Sequence, residues 1–514
     1  MCLVGSLALA LTALGLVDSV SQTLALQRSF LAAGGLLVAW AVVVFGLARR
    51  DGRTLTLQVV LQKQHYIQAC AQGAFLLYWG WYWRPVYDSA ALIAAQLVFA
   101  YAFDMLLCWS RRHNYTLGFG PVPVIFSINL FLWFTDEWFS LQFLLIALGF
   151  SAKELIQWEK EGRRVHIFNP SSFPLAVVSL ALILTGTSDI TVGQEIAVTQ
   201  FFPPYVYLAV FLVGLPGQYL FGVASMTMSA VCATYLFGVA YFAATGMYFF
   251  YDSYIPIAVF LGMHLLFTDP STAPRTEVGR LLFGVLYGLS IVALYGLLLR
   301  AGVPTFYDKL LVVPLLNLSI QRLDRVARSR WLDRLRRTTI GGSGSPRRRN
   351  MAYVAVWAMV FGMMSGARGV GDRHPGQFVP FWQEACDAGR PYACSYLADM
   401  EDRFCRSGSA WACNEAGILH VALAQSGQDG RRLDPLDAAG AFARGCDRGF
   451  DPACQNLTSL TSSVGSFAHG QPTLQDYPII LRGTKGPIAE RSPEVLRAMA
   501  CTQGWVEACR PAED

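Results

Sequence analysis

Long apolar runs separated by short polar connections fill residues 1 to about 320, and the apolar positions run on without alternating. A helix crossing the hydrocarbon core needs roughly 20 apolar residues, fewer when it is tilted or sheltered by neighbours. A membrane barrel would instead show alternation. The pattern therefore predicts an all-α polytopic membrane domain with about thirteen segments. They lie near 2–17, 30–48, 67–83, 89–108, 118–135, 138–150, 166–186, 203–222, 223–243, 255–268, 281–300, 307–319 and 352–367. Segments 138–150 and 307–319 are short enough to be re-entrant or interfacial.

Charge adds an orientation, because short cytoplasmic loops carry an excess of lysine and arginine. Connections 49–63 (Arg49, Arg50, Arg53, Lys63), 109–117 (Arg111, Arg112) and 151–165 (Lys153, Lys160, Arg163, Arg164) are basic. The alternate connections carry Asp88, Asp136 with Glu137, Asp189 with Glu195, and Asp252. The N-terminus and the basic connections are thus expected in the cytoplasm. A last basic stretch, Arg322 to Arg349, holds ten arginines, and the run from Ala352 carries the chain back out. Everything after about Gly366 is then expected on the periplasmic or extracellular side of a bacterial-type inner membrane. Residues 322–337 read as an amphipathic interfacial helix before a flexible GGSGSP linker. Residues 2–17 lack an n-region charge, which favours a first span over a signal-peptide core. The net charge of +5 comes largely from the arginine stretch, so it points to anionic lipid and not to nucleic acid.

The last quarter of the chain is different. C-x-x-G-x-x-x-A-C occurs four times, from Cys386, Cys405, Cys446 and Cys501, and takes in eight of the twelve cysteines. An unbroken helix would hold residues i and i+8 about 12 Å apart, beyond the ~7 Å reach of a disulfide. A bend is needed, and Gly389, Gly408, Gly449 and Gly504 supply it by ending one helix in the left-handed conformation. Each frame becomes a helix-turn-helix with a small alanine at the contact, stapled as Cys386–Cys394, Cys405–Cys413, Cys446–Cys454 and Cys501–Cys509. Zinc and free buried thiols are the alternatives. Zinc thiolates usually lie two to four residues apart, and the arginine-based topology places the tail in an oxidising compartment.

The tail, residues 378–514, resembles the cysteine-rich Sel-1-like repeats, a solenoid family that binds proteins on a concave face. Its first cysteines are separated by 19, 41 and 55 residues, and the 19-residue gap is too short for a whole unit. The chain around 460–490 reads as an insertion. The resemblance implies an exoplasmic protein partner.

Two frames in the membrane domain match each other. Asn169-Pro170-Ser171-Ser172-Phe173-Pro174 lines up with Asp269-Pro270-Ser271-Thr272-Ala273-Pro274, one hundred residues later. Asn or Asp suits a helix N-cap, proline the first helical position, and Ser or Thr the next free amides. Each reads as a helix start, simply well capped or offering amides to a phosphate beside Arg163, Arg164, Arg275 and Arg280. Both are expected on the same side, so they are not mates in an inverted repeat.

The wider pattern G-R-x-x-x-F-N-P (Gly162, Arg163, Phe168, Asn169, Pro170), followed by T-D-P-x-x-x-P-x-x-x-G-R (Thr268, Asp269, Pro270, Pro274, Gly279, Arg280), resembles a known membrane family. That family contains homologous flavin-carrying membrane subunits of the Rnf-type electron transport complexes and of the sodium-translocating NADH:quinone reductase. FGVLYG at 283–288 and PLLNL at 314–318 match as well, and the resemblance covers roughly residues 60–320. It implies FMN or riboflavin in a helical bundle, other membrane subunits as partners, and coupling of electron flow to ion movement. Its cofactor-binding residues would be Arg163, Arg164, Asn169, Ser171, Ser172, Thr268, Asp269, Ser271, Thr272 and Arg275. The S-G-A-T-like motif that anchors FMN covalently in the family is absent; Thr187, Thr191 and Thr199 stand in other contexts. A non-redox scaffold or transporter, like the enediyne-cluster branch of the same family, is the alternative.

The expected organisation is N-terminal spans at 1–60, the family-like domain at 61–320, a basic segment at 321–350, a last span at 351–367 and the repeats at 378–514. The run YWGWYWRPVYD at 78–88 reads as an interfacial aromatic belt. Asp104 stands out as the acidic residue inside an apolar segment, either functional or capped and arginine-paired. GLPGQ at 214–218 is expected to break its span and, with Pro203-Pro204, marks a candidate central site. His166 and His264 each stand alone, which argues against haem. The sequence offers no nucleophile–base pair, phosphate loop or metal-ligand cluster, so no catalytic or metal residues are assigned.

Overall fold

The structure is a computed structural model and describes residues 2–21, 23–160, 162–201, 203–250, 253–332, 345–367, 369–370, 374–390, 393–426, 435–462, 466–482 and 491–510. The side chain of Arg163, Asp252 and most of the GGSGSP linker lie outside them. The chain divides into two compact units, Met1–Leu236 with Ile257–Met364, and Phe237–Pro256 with Ser365–Asp514.

The first unit is a helical bundle. Its N-terminal helices are α1 (Cys2–Leu14) and α2 (Leu24–Arg50), with α1 packed on α2 and on α4 (Ala90–Arg111). A first series follows: α3 (Lys63–Tyr82), α4, the short α5 (Pro121–Asn129), α6 (Ser140–Leu155) and α7 (Ser172–Thr185). After a connecting α8 (Gly193–Thr199) comes a second series: α9 (Val206–Phe221), α10 (Ala224–Thr245, of which the part to Leu236 belongs to this unit), the short α11 (Ile257–Leu261), α12 (Glu277–Arg300) and α13 (Asp308–Asn317). α11 continues as one π-helical stretch, Gly262–Leu266.

The two series pack alike. α3 lies on α5 as α9 lies on α11, and α6 lies on α7 as α12 lies on α13. The first members of the series, α3 and α9, touch each other, and so do the last, α7 and α13. Gly284 and Gly288 of α12 let it approach α10 closely; a Cβ at Gly284 would overlap Ser229 Oγ and the Met226 carbonyl.

Four helices among the described residues, α2, α4, α10 and α12, are long and apolar enough to cross a membrane. Among the other expected spans, α3 and the helix Pro346–Gly366 have the length but a less apolar sequence, and α1, α7, α9 and α11 with its π-helical continuation are shorter apolar helices. Segment 118–135 is half as long as expected, because the chain leaves helix after Asn129, turns at Leu130 and Phe131 and reaches a bridge between Phe134 and Thr191. The 214–218 stretch does not break its helix: α9 runs continuously through Pro216, as prolines in packed apolar helices often allow.

The polar connections are more ordered than loops. β1 (Thr56–Val59) pairs in parallel with β2 (Asn114–Leu117), and β3 (Gln157–Lys160) pairs antiparallel with β4 (Arg163–His166). The β1–β2 pairing ties two of the basic connections together. The basic segment opens with α14 (Ile320–Ala327), which packs on α12, and the last apolar helix is α15 (Pro346–Gly366).

The second unit is also helical: α16 (Val379–Asp387), α17 (Ala393–Arg406), α18 (Ala410–Ser426), α19 (Pro435–Asp447), α20 (Asp451–Ser462), α21 (Tyr477–Arg482) and α22 (Pro493–Thr502). Consecutive helices from α16 to α20 pack on one another, and Trp382, Trp411, Phe404 and Leu397 are buried in the core. All four cysteine frames are closed by disulfides within the frame, with Cα atoms 4.6, 4.5, 4.6 and 4.7 Å apart. The four glycines have φ of 65, 112, 81 and 99°, the left-handed region the bend demands. One helix, α17, carries Cys394 near its start and Cys405 near its end, which explains the 19-residue gap: two frames share it. The last frame differs from expectation, because its second limb is a single 3-10 turn, Glu507–Cys509.

Candidate functional site

The two matching frames, a hundred residues apart in sequence, come together. Asn169 is buried, and its Oδ1 accepts from Ser171 N (2.9 Å), Ser172 N (3.1 Å) and Ser171 Oγ (2.7 Å). Its Nδ2 donates to the Leu266 carbonyl at 3.0 Å, where the π-helical stretch ends. Asp269 Oδ1 accepts from Ser271 N at 2.9 Å, and Oδ2 lies 3.4 Å from His166 Nε2. Thr272 Oγ1 donates to Asp269 Oδ2 at 3.3 Å, and Thr268 Oγ1 donates to the His264 carbonyl at 3.0 Å. Asn317 joins the two frames: its Oδ1 accepts from Asn169 N (3.3 Å) and its Nδ2 donates to the Thr272 carbonyl (3.3 Å).

This clasp uses the groups an anion would need. The first frame does start a helix, as expected. The second does not: Pro270–Thr272 is one 3-10 turn, and α12 starts later with Thr276 as N-cap, its Oγ1 accepting from Gly279 N at 3.2 Å. Asp324 Oδ1 takes the amides of Arg275 (3.0 Å) and Thr276 (3.0 Å) and the Thr276 hydroxyl (2.8 Å). The amides of Ser171, Ser172, Ser271, Arg275 and Thr276 are all bonded to side chains of the chain itself. Arg164 and Arg275 are exposed. Burial works to raise the Asp269 carboxyl, but His166 and the Ser271 amide hold it below the ordinary aspartate range.

Sequence reading missed Asp324, and it noted Asn317 only within PLLNL without assigning it to the site. Asp324 had a signal, since Ile320, Asp324 and Ala327 form one buried stripe on an otherwise basic helix.

A second polar group lies where α3 and α9 meet the π-helical stretch. Gln72 Nε2 donates to Ser127 Oγ (2.7 Å) and to the Leu265 carbonyl (3.4 Å), while its Oε1 is buried without a partner. His264 Nδ1 bonds the Phe260 carbonyl at 2.8 Å, which makes Nδ1 the protonated nitrogen and leaves Nε2 a buried acceptor with no partner. Both amide atoms of Gln218 are likewise buried and unpartnered. A Cβ on Gly214 would lie 3.2 Å from both Gln218 Nε2 and His264 Cδ2, so these groups share one seam.

Charge is buried nearby too. Lys309 and Asp308, at the start of α13, are both buried; Lys309 Nζ donates to the Phe306 carbonyl at 2.6 Å and lies 3.4 Å from Asp308 Oδ1. Asp104 is therefore not alone among carboxylates in the apolar segments. It accepts from Tyr115 OH at 3.1 Å, and its ion partner is Lys153 at 3.9 Å and not an arginine.

In the second unit, Trp411, Trp505, Glu384, Asp387, Glu415 and Glu507 line a groove of about 940 Å³. The expected insertion lines it as well, tied down by Trp411 Nε1 donating to the Gly470 carbonyl (2.6 Å) and by His469 against Glu415 (2.7 Å). No family model, curated protein or solved structure matches this chain. Among the described residues no group of His, Cys, Asp and Glu is placed to hold a metal.

Proposed function

We propose that this chain is an integral membrane transport protein, with the stapled second unit serving as a recognition domain outside the cytoplasm. The observation that carries the reading is the seam of unpartnered buried polar atoms, on Gln72, Gln218 and His264, beside a helix that changes to π geometry. A bare polar atom in an apolar interior costs a few kcal/mol, and irregular backbone at membrane depth is tolerated where it lines a polar cavity. π-helical stretches concentrate at functional sites. Two series of helices with a short third member, packed through their first and last members, suit a pathway between two halves.

The orientation belongs to the same proposal. Its supports are the basic connections, two of which pair as β1 and β2, and the four disulfides, which need an oxidising compartment. A bacterial-type inner membrane with the N-terminus cytoplasmic accommodates both.

The test is electrical. Purified protein in a supported membrane receives pulses of sodium, ammonium and choline. A current with at least one of them, lost in Gln218→Leu, supports the reading; folded protein silent to all three refutes it.

A second reading keeps the electron-transport resemblance, with FMN or riboflavin held noncovalently near the clasp and other membrane subunits as partners. What favours it is that the Asn169 and Asp269 frames, which that resemblance assigns to one site, are joined: Asn169 bonds the Leu266 carbonyl three residues before Asp269, and Asn317 bonds both frames. Flavin absorbance in the purified protein would favour it over plain transport, whereas the internally satisfied amides favour the transport reading.

A further inference from the structure

A cavity of about 220 Å³ opens in the first unit, and none of its lining residues belongs to the clasp or the seam. One wall is aromatic. Trp83 and Trp133 stack with centroids 5.4 Å apart and planes at 18°, and Trp79 packs against both, 4.9 Å from Trp83 and 5.9 Å from Trp133. Trp133 Nε1 donates to the Asn129 carbonyl at 2.7 Å, which fixes its ring. The interfacial-belt reading accounts for Trp81, which is 59% exposed, but not for Trp79, which is fully buried.

The floor is neutral and rigid. Gln96 and Asn129 exchange amide hydrogen bonds at 2.8 and 3.2 Å, Gln142 Nε2 donates to Gln96 Oε1 at 3.3 Å, and Gln142 Oε1 accepts from Phe134 N at 3.2 Å. Three buried amides linked this way are costly to assemble and hold a surface with fixed dipoles.

Full charge enters only at the mouth. Asp136 and Glu195 are the charged residues that line the cavity, and no Lys, Arg or His among the described residues does so. Arg84 is next to Trp83 in sequence, but its guanidinium lies over the rings of Trp81 (5.1 Å) and Tyr87 (5.5 Å). Burial, with Glu137 adding to it, pushes the Asp136 carboxyl up.

We propose that this cavity binds a small organic ammonium ion, its cationic head against the Trp83–Trp133 wall and between Asp136 and Glu195. An aromatic face attracts a cation and favours alkylated ammonium. A hard metal ion instead seeks six or more oxygens, which a wall of indole rings does not offer. The volume lies below the 300–1,000 Å³ usual for drug-sized ligands, which limits the occupant to a few heavy atoms. The proposal deepens the transport reading by naming a substrate class, and rests on that reading only for what happens to the ion after binding.

Calorimetry and tryptophan fluorescence on the full-length protein in detergent test it, with choline and tetramethylammonium as probes. Sodium chloride and the neutral choline isostere 3,3-dimethylbutanol serve as controls. Saturable binding of both ammonium probes is expected, with quenching of tryptophan emission and no competition from the isostere. The double variant Asp136→Asn, Glu195→Gln should bind at least tenfold more weakly, and Trp133→Leu should lose both affinity and quenching. Absence of binding, equal competition by sodium, or an unaltered affinity in a folded double variant would overturn the proposal. Choline binding without any transport current keeps the cavity and removes the transport reading. Current without ammonium binding does the reverse.

Discussion

Removing the staple at Cys405–Cys413 gives a prediction that can be worked from the chain. The disulfide closes a loop with a sequence separation of 8 and joins α17 to α18 across Gly408. The chain-entropy treatment assigns a loop of this length about 2.6 kcal/mol of stabilisation. Both sulfurs are fully buried, so the double variant Cys405→Ala, Cys413→Ala also loses packing, on the order of 1 kcal/mol. Arg448 Nη1 still donates to the Cys405 carbonyl at 2.8 Å, so the turn keeps one external tie. The assay is amide hydrogen exchange read by mass spectrometry over α17 and α18 in the full chain. A loss of about 2.6 to 3.6 kcal/mol speeds exchange through local opening roughly 80- to 400-fold. All four staples have the same separation, so the entropic part should be the same for each, and differences among the four pairwise variants report packing. An increase below threefold at α17–α18 would refute the idea that the staple, and not helix packing, holds the turn.

Glu401 gives a pH prediction. It is buried with Oε2 unpartnered, and burial, followed by Glu415 and Asp402, holds its carboxyl well above the ordinary glutamate range. The folded state therefore holds a proton that the unfolded state releases above about 4.5. Stability of the second unit should be fullest below that pH and fall as pH rises toward the folded value; Glu401→Gln should flatten this fall, as read by proteolysis of the second unit at pH 5 and pH 8. Asn169→Ala removes a cap worth about 1 kcal/mol and strands the Leu266 carbonyl for about 1–3 more, so a lowered melting temperature in detergent is expected, and an unchanged one contradicts the clasp. Gly284→Ala drives a methyl into Ser229 and the Met226 carbonyl and should reduce folded yield, whereas Gly362→Ala, with open space around it, should not. Gly449→Ala places an alanine at φ 81° and should cost about 1–2 kcal/mol in the same exchange assay over α19 and α20.

Much of the fold was legible along the chain because the signals are local. Continuous apolar runs mark α2, α4, α10 and α12, and a glycine three residues after a cysteine implies a bend wherever the fragment sits. Asn169 and Asp269 both accept the amide two residues on, as the capping reading expects, but Asp269 caps only a single 3-10 turn: the long helix starts at Thr276, seven residues later, which Asp324, distant in sequence, supports.

By itself, then, the sequence determined the helical class, the places of the four long apolar helices and the pairing of each cysteine with the one eight residues on, since all of these follow from local spacing. Tertiary structure alone decided that α5 stops at Asn129, that Asn317 joins the two proline frames, and that Trp83, Trp133 and three amides enclose a cavity with an acidic mouth. Those outcomes depend on which polar groups meet across 33 to 148 residues of chain. In an apolar interior a polar group goes where its hydrogen bonds are met, and that condition is set by the neighbours the fold supplies and not by adjacent residues.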